Sequence, residues 1–321
     1  MNTRTLTAAS LAAALASAVP AYAASSQLLN LVMPDAVVVA GANVAQARTS
    51  PFGQFVLQQI QTNDTDLQKL IAATGFDPTQ DVIETLAASN GTGNTGVVLA
   101  LGTFNPAQIA TAATAHNAVL ETYGSFTIIE GPDKNFGLAF PSAAIAVLGD
   151  VADVKAALNR VSAPSNLPAA LVVQISQWSG SEDAWAISTV PLSTFHHSAV
   201  KPAASDSKPT AATIPGLNGE GVFQAIQSAA GGVKFGTNDV VTAQATADNA
   251  QDAQSMANAL QFLASLAQLQ ASKEPAVATF AQSLKVTASG TTVNLTASIP
   301  ETTLEQLIHS NSKTARTPVG R

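Results

Sequence analysis

The chain has no cysteine in 321 residues, which removes disulfides, thiolate metal sites and cysteine nucleophiles together. Charge is also scarce: 14 Lys and Arg stand against 21 Asp and Glu, 11% of the chain, with a net charge of −7. A duplex-binding surface needs clustered cations to neutralise phosphates, so nucleic acid is excluded as a partner. Aromatics make up 5% and tryptophan occurs twice. Beyond the first 23 residues, no stretch reaches the roughly 18 consecutive apolar residues that a membrane-spanning helix requires. What is present is a globular composition: 46% of residues are hydrophobic, enough to bury a core and too many for a disordered chain. The length suits roughly two domains of about 150 residues.

Residues 1–23 carry one early cation, Arg4, then an apolar small-residue stretch from Leu6 to Val19, a helix-breaking Pro20, and Ala21-Tyr22-Ala23. Charge retains such an n-region in the cytosol, the apolar stretch enters the translocon as a helix, and small side chains fit the peptidase pocket. The pattern reads as a signal peptide cut between Ala23 and Ala24. It directs the mature chain to the periplasm or the medium. No cysteine follows the cut to carry a lipid anchor.

Downstream, helix and strand patterns alternate. Asp35 to Val44 is a β-branched run of the kind buried on both faces. Ser50-Pro51 opens a helix, and a second runs from about Asp66 to Thr74 before Gly75. Asp77-Pro78-Thr79-Gln80 reads as a capping box, predicting a helix from Pro78 to Ala88, and Asn105-Pro106-Ala107-Gln108 repeats the device. Strands are expected near 96–103, 125–130, 135–140 and 143–148, and a helix from Val151 to Val161. The second half offers a similar order: a strand from Asp183, a helix from Glu220 to Ala229, strands at 233–235 and 239–247, then helices at 249–271 and 275–283. A hairpin turning at Ser289-Gly290 and a helix at 301–309 complete it. The long helix aligns Ala253, Met256, Leu260, Leu263 and Ala267 on one face.

These elements predict an α+β protein of two related units, residues 24–165 and 166–309, with mostly antiparallel sheets and helices packed on one side. The Pro/Ala/Ser-rich stretch 194–218 reads as a mobile loop, because it has little apolar surface to offset its ordering entropy. The polar stretch 310–321 reads as a disordered tail.

Motifs for chemistry are sparse. Gly91 to Gly96 matches G-x-G-x-x-G, but a dinucleotide loop follows a strand and opens a helix, and here the expected order is the reverse. Ser205-Asp206-Ser207-Lys208 matches S-x-x-K between two prolines, where a helix does not form. His196-His197 are adjacent, and adjacent side chains diverge too far to share an ion. His116 and His309 close helices, where an imidazolium favours the dipole. Asn63 to Asp66 starts like a calcium loop, but Gln68 and Thr74 hold the slots for its glycine and glutamate. Asp77 and Asp81 lie four apart and could act as paired carboxylates, although capping already accounts for Asp77. No catalytic residue, cofactor or metal site is nominated. Trp178 and Trp185, flanking Ser179-Gly180-Ser181, are the binding nominees: exposed together, they would form a platform for a sugar or peptide.

The segments LVMPDAVVVAGANVAQARTSPFGQF, LIAATGFDPTQDV, LALGTFNPA, DAWAISTVPL, AIQSAAGGVKFG and FLASLAQL together resemble an uncharacterised family of exported proteins of the Acidobacteria type. The similarity spans nearly the whole mature chain. It implies export and a common fold, and carries over no catalytic residue. The sequence reading is therefore a non-enzymatic exported protein that binds or scaffolds, its partner an unidentified protein or small ligand, with apolar surfaces available for self-association. Its rivals are a hydrolase whose site assembles only in three dimensions and a carrier of an apolar ligand. An enzyme requires converging ionisable groups in a pocket; a binding protein requires an apolar patch or groove.

Overall fold

The computed structural model describes residues 23–63, 65–92, 95–191, 194, 225–269, 275–300 and 302–303. Its centre is one 12-stranded sheet in which every described pairing is antiparallel. The first seven strands are β1 (Val38–Asn43), β2 (Val82–Ser89), β3 (Gly96–Gly102), β4 (Val119–Tyr123), β5 (Phe126–Glu130), β6 (Phe136–Ser142) and β7 (Ile145–Asp150). The remaining five are β8 (Ala184–Ser188), β9 (Ile226–Lys234), β10 (Asn238–Ala247), β11 (Lys285–Ser289) and β12 (Thr292–Pro300). Across the sheet the order is β11-β12-β10-β9-β8-β1-β2-β3-β7-β6-β5-β4. The seam is β1 against β8, with Ala40 opposite Ala186. Outward from the seam lie β1-β2-β3-β7-β6, then β5 and β4, on one side and β8-β9-β10-β12-β11 on the other; the first five on each side have the same relative order.

The α+β class and the antiparallel sheet agree with the sequence reading, but the helices do not keep to one side. Alternation along each strand separates two faces. Val39, Leu86, Leu99, Val147, Ala139, Ile128 and Ile187 share one face through the pairings Val39–Ile187, Leu86–Leu99, Leu99–Val147 and Ala139–Ile128. On that face, hereafter the covered face, lie α1 (Ser26–Leu29), α7 (Val151–Asn159) and α8 (Ala169–Ser181), through Leu28, Val154, Leu158, Leu171 and Ile175. The long helix α9 (Ala250–Leu269) packs on the opposite face instead: Ala253 and Met256 join Val293 and Val286, with Ala229, Ala245 and Leu295 against them. A sheet this wide has two faces to bury, and each half solves the problem differently. On α9, Leu263 is exposed; the stripe drifts off the sheet after Leu260.

Several local expectations shift for one reason, the ambiguity of short Ala-rich runs. The capped helix at Pro78 lasts one turn, α5 (Pro78–Asp81), and the chain then becomes β2, in which Val82, Glu84, Leu86 and Ala88 are buried at period two. Asp77 caps the Thr79 amide at 2.9 Å, but it is Asp81, not Gln80, that accepts from the Asp77 amide, at 2.8 Å. The expected helix from Glu220 to Ala229 is, in its described part, the start of β9. β1 buries Val39 but leaves Val38 and Ala40 half-exposed, so it is not buried on both faces. β4 and α8 have no counterpart among the expected elements. α2 (Val44–Ala47), α3 (Pro51–Asn63), α4 (Thr65–Thr74), α6 (Pro106–Ala115) and α10 (Pro275–Ser283) complete the helices. The expected signal peptide as far as Tyr22, the expected loop from 195 to 218 and the expected tail at 310–321 lie outside the described residues.

Candidate functional site: an open trough

On the second face of β1, β2, β3 and β7, one end is occupied by the cluster of Val82, Ala100, Phe104 and Ala146, against which Val44 of α2 and Phe76 pack, while the end around Val38, Ala87 and Val98 is left half-buried or exposed. Apart from Leu148 on β7, the side chains lining that end are small or β-branched, and the alternation in β1, β2 and β8 leaves Val38, Ala40, Ala87 and Ser89 half-buried and Ala186 exposed. Val98 is 46% exposed and Phe136 49%, whereas Leu86 and Leu99 on the covered face are fully buried. Two cavities follow from this shape. One, of about 470 Å3, is floored by Val38, Ala40, Ala87, Val98 and Leu148, with Phe136 and Asp150 at its end. The other, of about 430 Å3, lies over Ala186, Ser188, Ala229 and Gly231. Both include Val38 and Ser89, so they form one trough crossing the seam. Six steps between neighbouring strands separate β9 from β6, which at about 4.8 Å each gives roughly 30 Å. Asp150 is the one ionisable side chain in its described lining.

The titratable groups with displaced proton affinity sit elsewhere. Glu84, 4% exposed, has its pKa raised by burial, opposed by the Ser25 amide that it accepts. Glu182 is raised by burial, and one of its carboxyl oxygens, Oε2, has no hydrogen-bond partner among the described residues. Glu130 is raised chiefly by the hydrogen bond it shares with Glu121, whose own pKa is lowered by Lys155 at 2.7 Å. By register Glu84 and Glu130 project from the covered face, and Glu182 packs on the position of Gly232, which is paired with Trp185. None lines the trough. Among the described residues no cluster of three His, Asp or Glu could hold a metal ion.

The nominated tryptophans are not a platform. Trp178 on α8 is 5% exposed and Trp185 on β8 is 7% exposed, both within the core of the covered face. Trp185 lies over Gly41, where a Cβ would come within 2.7 Å of its ring. Large rings at the end of a helix and the start of a strand bury area where the two meet, which accounts for both. Ala23 and Ala24 are described: the Ala24 amide donates to Oγ of Ser179 at 3.0 Å. The glycine motif at Gly91 lies in the hairpin between β2 and β3, so a strand precedes it as well as follows it, and no helix opens there. Asp77 and Asp81 serve the cap, and His116 is the C-cap of α6. The Ser205–Lys208 motif, His196, His197 and His309 fall outside the described residues.

The trough residues escaped the sequence reading because Ala, Ser and Gly carry no chemical signature. The available signal was the alternation of small with large side chains in β1, β2 and β8, which marks a face of small side chains.

No family model matches the sequence, and no curated protein matches it. Solved structures do. Crystal form I of TP0453, a Treponema protein, aligns over 88% of this chain and 96% of its own with a TM-score of 0.52 at 12% identity. Crystal form III covers 88% and 97% with a TM-score of 0.54 at 12% identity. At such identity the likeness establishes a shared fold and nothing about activity.

Proposed function

We propose that the chain is exported, cut after Ala23, and serves in the periplasm or outside the cell as a non-enzymatic binding protein whose trough holds an elongated apolar molecule of the acyl-chain type. The observation that carries this reading is the stretch of sheet from Ala186 to Phe136 that the described residues leave half-buried or exposed, while Val39, Leu86, Leu99, Val147 and Ile187 on the other face of the same strands are buried. Each of the two adjoining cavities falls within the roughly 300–1,000 Å3 usual for ligand sites. A lining whose one ionisable group, Asp150, lies at its end suits an apolar chain along the floor better than a compact polar substrate. The separation of the displaced carboxyls from the trough supports binding over hydrolysis, since catalysis would need them to converge on the ligand. The matching strand orders on the two sides of the seam support a duplicated unit. This reading keeps the resemblance to exported Acidobacteria-type proteins.

The test is direct. The exported protein is extracted with organic solvent for mass spectrometry, and the stripped protein is titrated with a fluorescent 18-carbon fatty acid. Saturable binding that falls about tenfold or more in Ala40→Glu and Ala186→Glu supports the proposal, because a buried unpaired carboxylate is costly beside an acyl chain. Binding unchanged in both variants, or no saturable binding, overturns it.

A further inference from the structure

The described chain begins in a socket. The Ala24 amide donates to Oγ of Ser179 at 3.0 Å, and the Ser25 amide donates to Oε1 and Oε2 of Glu84 at 3.0 and 3.3 Å. Ser179 is 6% exposed and Glu84 4%, and Leu28, one turn onward, is fully buried, so this segment is part of the core. Ion pairs join Lys155 to Glu121 and Lys234 to Asp183, and among the described residues no Lys, Arg or His pairs with Glu84. A buried carboxylate held by one amide is poorly compensated for its lost hydration.

The cut after Ala23 supplies a cation at this place. Water adds across the Ala23–Ala24 peptide bond at the exported signal peptidase. The C–N bond breaks, the hydroxyl goes to the Ala23 carboxyl, and the freed amine of Ala24 takes up a proton. Consecutive backbone nitrogens lie about 3.7 Å apart at most, so the Ala24 nitrogen is within roughly 7 Å of the Glu84 carboxylate before any adjustment. Rotation of the freed terminal residue about ψ covers the remainder.

We infer that the α-ammonium of mature Ala24 binds in this socket, ion-paired to Glu84 and hydrogen-bonded to Oγ of Ser179. The site is incomplete in the precursor, where Ala24 has one N–H and no charge. Processing thus completes the core: the mature fold is held by a contact that the uncut chain lacks. The inference rests on cleavage after Ala23, which is tested separately below.

The full chain with its leader is exported from a bacterial host, and the N-terminus of the product is read by mass spectrometry. A product starting at Ala24 supports the cleavage reading; another start overturns that reading and this pairing with it. On the Ala24 product, pH-dependent acylation of the α-amine is followed by peptide mapping. An ordinary α-amine has a pKa near 7.7–8.0, and an opposite charge at contact raises it by about one unit or more, so acylation at pH 7 should be about tenfold slower than in Glu84→Gln. A protein retaining Tyr22-Ala23 ahead of Ala24 should melt lower than the mature chain, and the same extension should cost much less in the Glu84→Gln background. Should Glu84→Gln not fold, Ser179→Ala takes its place and should speed acylation as well. Equal acylation in mature and variant proteins, or an extension penalty of the same size in both backgrounds, overturns the pairing while leaving the cleavage site intact.

Discussion

Gly41 on β1 and Trp185 on β8 are direct partners across the seam, and the indole occupies the space of the missing side chain: a Cβ on Gly41 would lie 2.7 Å from Cζ2 of the ring. Glycine is required here by close approach rather than by backbone conformation. The contact ties the two halves of the sheet at the point where β1 passes beside β8.

Gly41→Ala is expected to destabilise the protein by about 1–3 kcal/mol, the usual penalty for overpacking a core, because the ring must shift against α8 and β9. Denaturant unfolding at equilibrium checks this. A loss within about 0.5 kcal/mol, the range of surface substitutions, would show that the ring has room to move.

Val98 is 46% exposed on the floor of the trough. Val98→Asp should lower fatty-acid affinity about tenfold or more, with a stability cost of about 1 kcal/mol from the lost strand preference of valine. Because Trp178 and Trp185 are buried on the covered face, their emission should be blue-shifted and should not change on titration with a non-fluorescent fatty acid. A large tryptophan response would move the ligand to the wrong face.

Glu182 gives the pH prediction. Its folded pKa is raised above the ordinary 4.5, first by burial. The native state therefore binds more protons than the unfolded state between that value and the raised one. This stabilising term is fully present below pH 4.5 and lost as pH rises through the folded pKa. Glu182→Gln, which mimics the protonated form, should be more stable than the parent at pH 7, with the difference closing toward pH 4. Unfolding curves across that range decide it, and parallel profiles for parent and variant would contradict the sign.

Gly290 turns the β11–β12 hairpin with φ at +57° and open space where a side chain would stand. Gly290→Val should cost about 1 kcal/mol or more from backbone strain alone, since a β-branched residue resists positive φ. A thermal melt checks this.

Much of the local structure was legible in the letters. Gly290 marked the hairpin, Pro51 and Pro106 marked helix starts, and Asn105 was readable as a cap, as its hydrogen bond to the Gln108 amide at 3.2 Å bears out. Those signals are local: a turn residue or a cap acts on amides two or three residues away. The run VIETLAAS was not legible, because Leu and Ala favour a helix and the pull of β1 and β3 on either side is not written in the run itself. Trp178 and Trp185 stood out as rare rings, but rarity does not say which way a ring points. The trough was invisible for the opposite reason, since Ala40, Ala87 and Ala186 are ordinary until one sees that they are left half-buried or exposed by the described residues around them.

The sequence by itself determined the composition of the core, the α+β class, the turns and caps, and the absence of any thiol chemistry. Those follow from side-chain volume, hydropathy and short-range backbone preference. Only the tertiary structure decided that β1 meets β8 in one sheet, that the helices divide between its faces, and that buried Glu84 and Ser179 accept from the Ser25 and Ala24 amides. These depend on contacts between residues distant in sequence, 59 positions for Ser25 with Glu84 and 155 for Ala24 with Ser179, whose formation is governed by which surfaces find partners, a property of the whole chain and of no segment within it.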